Sequence, residues 1–151
     1  MMENTQITDK YECIRLGNQL CFPLYACAKE MVRQYRKPLD ELDLTYTQYI
    51  VMMVFWEHGG MTEGELGRRV HLDSGTLTPL LKRLEKRGLI QRGRLESNER
   101  KLYISLTDEG EVLKERAAAV PEAMRGCINL PEDELKQLKY LLEKALIKME
   151  E

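Results

Sequence analysis

Little in this chain of 151 residues suits a membrane, a metal or an oxidising compartment. Its longest unbroken apolar run is Ile50 to Trp56, far below the ~20 residues of a membrane helix, so no membrane partner is expected. The segment Met1 to Lys10 is polar and lacks the apolar core of a secretory signal, which points to the cytoplasm. There are four cysteines, at 13, 21, 27 and 127, no Cys-x-x-Cys, and only two histidines. A structural zinc site has little to draw on, and no metal or cofactor is expected. In a reducing compartment these cysteines are thiols, so a special role for one of them is redox rather than metal binding. With 43% hydrophobic and 32% charged residues, no internal repeat, no low-complexity stretch and no long linker, residues 1–151 read as one globular domain.

Net charge is also scarce. The total is -2, which taken alone speaks against a nucleic-acid binder. The distribution reverses that conclusion. Between Arg68 and Tyr103 stand ten basic residues and four acids (Asp73, Glu85, Glu96 and Glu99), a local +6 against -8 for the remainder. One segment is built to meet an anion.

What the chain has in abundance is helical periodicity. Apolar positions 16, 20, 24, 28, 31, 32 and 35 recur at spacings that predict a long first helix from Leu16, ended by Pro38. Pro23 lies inside that stripe and deprives the Gln19 carbonyl of its donor, so a kink or a helix start near Asn18 is expected. Thr45 and Gln48 have capping-box spacing and open the most apolar helix, stopped at Gly59-Gly60. Thr62 and Glu65 repeat that spacing before a short helix with Leu66 and Val70 inward. After the turn His71-Leu72-Asp73, another helix carries Leu77, Leu80, Leu81 and Leu84 at i, i+3, i+4 and i+7, ending at Gly88.

Leu89 to Leu95 and Lys101 to Leu106 read as two strands, joined as a hairpin by Glu96 to Arg100. Thr107 starts a helix expected to run to about Pro121. Pro131 opens the last helix, whose Leu135, Leu138, Leu141, Leu142, Ala145, Leu146 and Met149 form one stripe. That stripe needs a partner.

The fold class is therefore mainly α with a small β-hairpin: a winged helix-turn-helix over 45–106, flanked by long N- and C-terminal dimerisation helices at about 10–44 and 107–151. In such a motif the second helix enters the major groove of double-stranded DNA. Ser74, Thr76 and Thr78 are small enough for close approach to bases, and Lys82, Arg83 and Arg87 are placed for phosphates. Arg94 and Arg100 of the hairpin suit a narrow minor groove. The plainer alternative is a solvated charged face. It is outweighed because the apolar inner face, the turn, the hairpin and the local +6 coincide.

The stretch Leu72-Asp-Ser-Gly-Thr-Leu-Thr-Pro-Leu-Leu-Lys-Arg-Leu-Glu-Lys-Arg-Gly-Leu89, with Asn98-Glu-Arg100 in the wing, resembles the MarR family of dimeric bacterial transcription regulators. Asn18-Gln-Leu-Cys-Phe22 and Leu44-Thr-Tyr-Thr-Gln-Tyr49 are similar to its organic-hydroperoxide-sensing repressor branch. The likeness runs from about Leu16 to Met149. One departure is that the wing usually reads Asp-Glu-Arg and here begins with Asn98, which accepts a hydrogen bond but brings no charge.

On base rates, a cysteine at position 21, at the edge of an apolar stripe, is a small core hydrophobe. Sensing instead asks for a stabilised, accessible thiolate that attacks a peroxide and becomes a sulfenic acid. No Lys or Arg lies within one turn of Cys21, so stabilisation falls to hydrogen bonds or a helix terminus. The resemblance implies that Cys21 is the peroxidatic thiol, that Tyr35 and Tyr46 of the other subunit hydrogen-bond it, and that Cys127 of the other subunit resolves it as a disulfide. An apolar pocket around Phe22, Tyr25 and Met31 would favour organic hydroperoxides by desolvating their alkyl tails. Cys13 and Cys27 read as core or surface thiols, and His58 and His71 as loop or cap residues.

The expected function is that of a homodimeric repressor, not an enzyme, which binds a pseudo-palindromic promoter site and is released when Cys21 is oxidised. Its rivals are a MarR-type regulator answering a small apolar or phenolic ligand, a thiol peroxidase using Cys21 and Cys127, and a winged-helix adaptor without a DNA site. Against the peroxidase, no arginine is evident beside Cys21, and the +6 module would go unexplained.

Overall fold

The helix starts expected at Thr45, Thr62 and Thr107 have their side-chain caps, whereas the one at Pro131 has none. Thr45 Oγ1 accepts from the Gln48 amide at 3.3 Å while the Thr45 amide donates to Gln48 Oε1 at 2.9 Å, and Thr62 and Glu65 make the same reciprocal pair. In the computed structural model, which describes residues 10–95 and 97–151, the chain runs α1 (Cys21–Asp40), α2 (Tyr46–His58), β1 (Met61–Thr62), α3 (Glu63–Val70) and α4 (Ser74–Lys86). It continues as β2 (Ile90–Leu95), β3 (Asn98–Leu106), α5 (Asp108–Ala117), α6 (Val120–Ala123) and α7 (Glu132–Glu150). Glu96, and with it part of the expected hairpin connection, lies outside the described residues, as do the side chains of Leu95, Asn98, Glu99 and Arg100.

Several boundaries differ from expectation, each for a physical reason. Leu16–Asn18 forms a 3-10 turn and α1 begins at Cys21, which puts Pro23 in the first helical turn, where its missing N–H costs no intrahelical bond. Pro38 does not end α1. It forfeits only the bond to the Gln34 carbonyl near the helix end, while continuing to Asp40 buries Leu39 to 1% exposure. The helix after Thr107 stops at Ala117, and Pro121 instead sits in the first turn of α6.

The sheet has three antiparallel strands in the order β1-β3-β2, where two were expected. The third, β1, pairs Met61 with Ile104 and Thr62 with Tyr103, and is too short to show alternation in sequence. The β3 strand starts at Asn98, three residues early, and the register shifts between Arg94 and Leu95 so that Leu95 comes opposite Asn98.

The core centres on the winged-helix module and reaches into the flanking helices at Leu39, Leu113 and Val120. Phe55, Met52, Leu66, Leu77, Leu81, Leu84, Ile90 and Ile104 are all within 2% of complete burial. Trp56 Nε1 donates to the Gly110 carbonyl at 2.9 Å, seating α5 on α2. By contrast, α7 buries no residue, and Leu24 and Val32 of α1 and Leu138, Leu142 and Leu146 of α7 stay exposed. Two apolar stripes are thus left uncovered by the single chain. Among the described residues no helix is long and apolar enough to cross a membrane.

Candidate nucleic-acid interface and redox site

The geometry of α4 follows from its N-cap. Asp73 Oδ1 accepts from the Thr76 amide at 2.8 Å, fixing the helix start immediately after the left-handed His71 that closes α3. Ser74 and Thr76 are exposed there, although the Thr76 hydroxyl also donates to Asp73 Oδ2 at 3.3 Å. Lys82 and Arg83 are exposed one to two turns on, as phosphate contacts require. The outward face also carries Gly75, Pro79 and Lys86, a set that includes two positions without a polar side chain.

Two expected DNA contacts are engaged elsewhere. The Thr78 hydroxyl donates to Glu63 Oε1 at 2.6 Å, tying α4 to α3, and is half-buried. Arg87 donates to the backbone carbonyls of Leu42, at 3.1 Å, and of Asp43. Polar residues on a helix look alike in sequence whether their partner is solvent, DNA or another helix, so neither contact was legible. In the wing, Arg94 is exposed. Arg92 is mostly covered, with Nε 3.4 Å from Glu85 and Nη1 3.9 Å from Glu63, and so holds β2 against α3 and α4. Arg100 and Asn98, on which the minor-groove contact and the wing's departure rest, have side chains outside the described residues.

The residues expected to carry redox chemistry fall into two places. Cys21 is the first residue of α1 and is exposed, at the positive end of the helix dipole. Tyr35 and Tyr46 come together with ring centroids 4.9 Å apart, and Tyr49 follows at 6.0 Å from Tyr35. Burial pushes the Tyr35 phenol up, and the neighbouring Tyr46, Tyr49 and Cys127 push it the same way; burial alone raises Tyr46. Both therefore remain O–H donors at neutral pH.

Cys127, half-buried, follows Gly126 in a left-handed turn (φ 79°) and donates its amide to the Met124 carbonyl at 3.1 Å. The fold thus gathers Tyr35, Tyr46 and Cys127 but not Cys21. Fourteen residues at ~1.5 Å each put Cys21 about 21 Å from Tyr35 along α1.

A groove of about 860 Å³ along α1 is lined by Phe22, Tyr25, Val32, Leu44 and Tyr46, together with the charged Lys29, Glu30, Arg33, Arg36 and Asp40. Met31 is not among its lining. It stands nine residues from Phe22, hence on the opposite face of the helix, so one chain cannot form the expected three-residue pocket. Tyr49 and its edge-on neighbour Trp56, at 6.4 Å, extend the aromatic cluster and were missed. Their i+3 and i+10 spacing from Tyr46 was the available signal.

The family model described as transcriptional regulator SarA/Rot matches residues 33–117. The chain is 47% identical over 134 residues to the organic hydroperoxide resistance transcriptional regulator of Bacillus subtilis (strain 168), covering 89% of this chain and 91% of the relative. Among solved structures it is similar to reduced AbfR bound to DNA (AbfR of Staphylococcus epidermidis), with 42% identity, 94% and 99% coverage and a TM-score of 0.73. Disulfide-formed AbfR matches at 41% identity, 94% and 97% coverage and a TM-score of 0.63.

Proposed function

The chain belongs to the MarR-type winged-helix transcription regulators, in the group of the organic hydroperoxide resistance regulators, and from that premise we propose that it is a repressor released from promoter DNA when an organic hydroperoxide oxidises Cys21. It acts as a homodimer in the cytoplasm and as a switch rather than an enzyme. Residues 10–44 and 107–151 pair across the two-fold axis, and 45–106 form the DNA-binding module. Two copies of α4 about 34 Å apart match successive major grooves of a pseudo-palindromic site.

One observation carries the redox reading. Cys21 and the Tyr35–Tyr46–Cys127 cluster stand about 21 Å apart on a continuous helix, so the sensor sulfur meets that cluster only from another subunit. The exposed stripes of α1 and α7 are the surfaces that bring a second subunit there.

In the reduced dimer the Tyr35 and Tyr46 hydroxyls donate hydrogen bonds to the partner's thiolate. That thiolate attacks the outer oxygen of ROOH, the O–O bond breaks, and the alcohol ROH leaves after taking a proton, with sulfenic acid left on Cys21. The Cys127 thiol then attacks the oxidised sulfur, forming an S–S bond and expelling water. Closing that bond brings the two sulfurs to ~2.05 Å, moves the subunits and changes the separation of the α4 helices. AbfR has been solved in both a DNA-bound and a disulfide form, and this chain follows the former more closely, with a TM-score of 0.73 against 0.63 at nearly equal identity. Phe22 and Tyr25 of the groove give an alkyl tail an apolar seat, and Met31 stands on the helix face turned from it.

Arg36 in the groove lining favours a second reading, a regulator answering a small apolar anion, although Glu30 and Asp40 line the same groove and Glu30 holds Arg33. One experiment separates the two: affinity for DNA beside the protein's own gene, with and without organic hydroperoxide. Wild type is expected to lose affinity and Cys21→Ser to keep it. Loss of equal size in Cys21→Ser rejects the sensor role.

A further inference from the structure

Arg87 caps the C-terminus of α4, and its side chain turns away from the outer face of that helix. One η-nitrogen donates to the Asp43 carbonyl and the other to the Leu42 carbonyl at 3.1 Å, while Nε lies 3.5 Å from the Asp43 carboxylate. Those carbonyls follow α1 directly and have no intrahelical donor, a need that the arginine's planar fork fills with two parallel N–H groups. The adjoining Glu41 carbonyl accepts from Arg116 of α5. Asp43 itself is left-handed (φ 51°), a conformation a non-glycine residue keeps only when its surroundings hold it.

This loop is also the mount of the sensor cluster. Tyr46 stands three residues beyond Asp43 and opens α2, and its ring rests on Tyr35 near the end of α1. Besides the packing of α2 on α4, the Asp43–Thr45 segment and the Arg87 guanidinium make a short polar connection between the phenol that receives the partner's sulfur and the helix that reads DNA. We propose that Arg87 is a positioning residue that couples the oxidation state of Cys21 to the placement of α4, an inference that rests on the sensor reading above. When the disulfide displaces Tyr35 and Tyr46, the loop carries Arg87 and the C-terminal end of α4 with it. A phosphate contact by Arg87, as its sequence position suggests, would use the same charge but not the same geometry.

The test uses the full-length dimer with Arg87→Lys, which keeps the charge but cannot span two carbonyls, alongside Arg87→Ala and the exposed Arg83→Ala. DNA affinity is measured reduced and after cumene hydroperoxide, with Cys21 oxidation verified by mass, over a range of salt. In both Arg87 variants the ratio of oxidised to reduced Kd is expected to shrink by about five-fold or more, with the salt slope of the reduced form unchanged. Arg83→Ala is expected to keep the ratio and to lower the slope by about one. An unchanged ratio in Arg87→Lys, or a slope lowered by about one in Arg87→Ala, overturns the coupling while leaving the sensor reading intact. Release that persists in Cys21→Ser overturns the sensor reading and the coupling together. Amide exchange judges the Arg87 bridge to the Leu42 and Asp43 carbonyls without any redox step: faster exchange over 41–45 in Arg87→Lys supports it, and unchanged exchange overturns it.

Discussion

Splitting the two sulfurs between subunits gives a quantitative test of the dimer chemistry. Two chains of different length are co-expressed, one carrying Cys21→Ser and the other Cys127→Ser. Random pairing makes roughly half of the dimers mixed, and each mixed dimer keeps one Cys21 and one Cys127, on opposite subunits. Within a chain, α1 holds Cys21 about 21 Å from Tyr35, and Cys127 packs with Tyr35 against the same core. A disulfide needs the two α-carbons within about 7 Å. The span from Cys21 to Tyr35 alone exceeds that reach by about 14 Å, so a Cys127 lying near Tyr35 meets its own chain's Cys21 only if turns of the 20-residue helix break. After treatment with organic hydroperoxide, a non-reducing gel is expected to show one new band joining a long and a short chain, and peptide mass analysis is expected to place the bond between Cys21 and Cys127. A Cys21–Cys127 bond within wild-type monomers, or equal cross-linking in either single-variant homodimer, would refute the reasoning.

Other predictions concern the frame that holds these groups. A Cβ at Gly110 would lie 2.1 Å from the Leu89 carbonyl, so Gly110→Ala is expected to destabilise by about 3 kcal/mol, against the gain of ~1 kcal/mol that helix propensity alone would give; thermal unfolding decides the sign. Asp73→Ala removes the N-cap of α4 and is expected to cost ~1 kcal/mol, read as a Tm lowered by a few degrees with a weaker DNA complex. The raised phenols of Tyr35, Tyr46 and Tyr49 favour the folded state fully below their unfolded value near 10.0, and that contribution is lost as pH rises through the folded values. Their phenolate absorbance is therefore expected to appear late and together with loss of helical circular dichroism, whereas early ionisation with the fold intact contradicts their burial.

Local rules made much of the fold legible. The two capping boxes, the Leu77–Leu80–Leu81–Leu84 face and the terminal stripes each depend on residues within one or two turns of one another, and each is present. What sequence missed depends on distant partners. The two-residue β1 exists only because β3 pairs with it, and α1 starts at Cys21 because the preceding apolar residues close 3-10 turns of similar periodicity. Thr78 and Arg87 were assigned to DNA on polarity, yet Glu63 and the Leu42–Asp43 carbonyls claim them. The separation of Cys21 from Tyr35 needed only helix arithmetic, whereas the placing of Cys127 beside Tyr35 needed the fold.

The central claim, that Cys21 oxidation itself releases DNA, is tested most directly by titration. The DNA-bound dimer is titrated with less than one equivalent of organic hydroperoxide per subunit, and release and Cys21 oxidation are read in the same samples, by anisotropy and by mass. Release is expected to rise in step with the oxidised fraction of Cys21 and to be absent in Cys21→Ser at the same doses. Release that precedes Cys21 oxidation, or that proceeds equally without that sulfur, would contradict it.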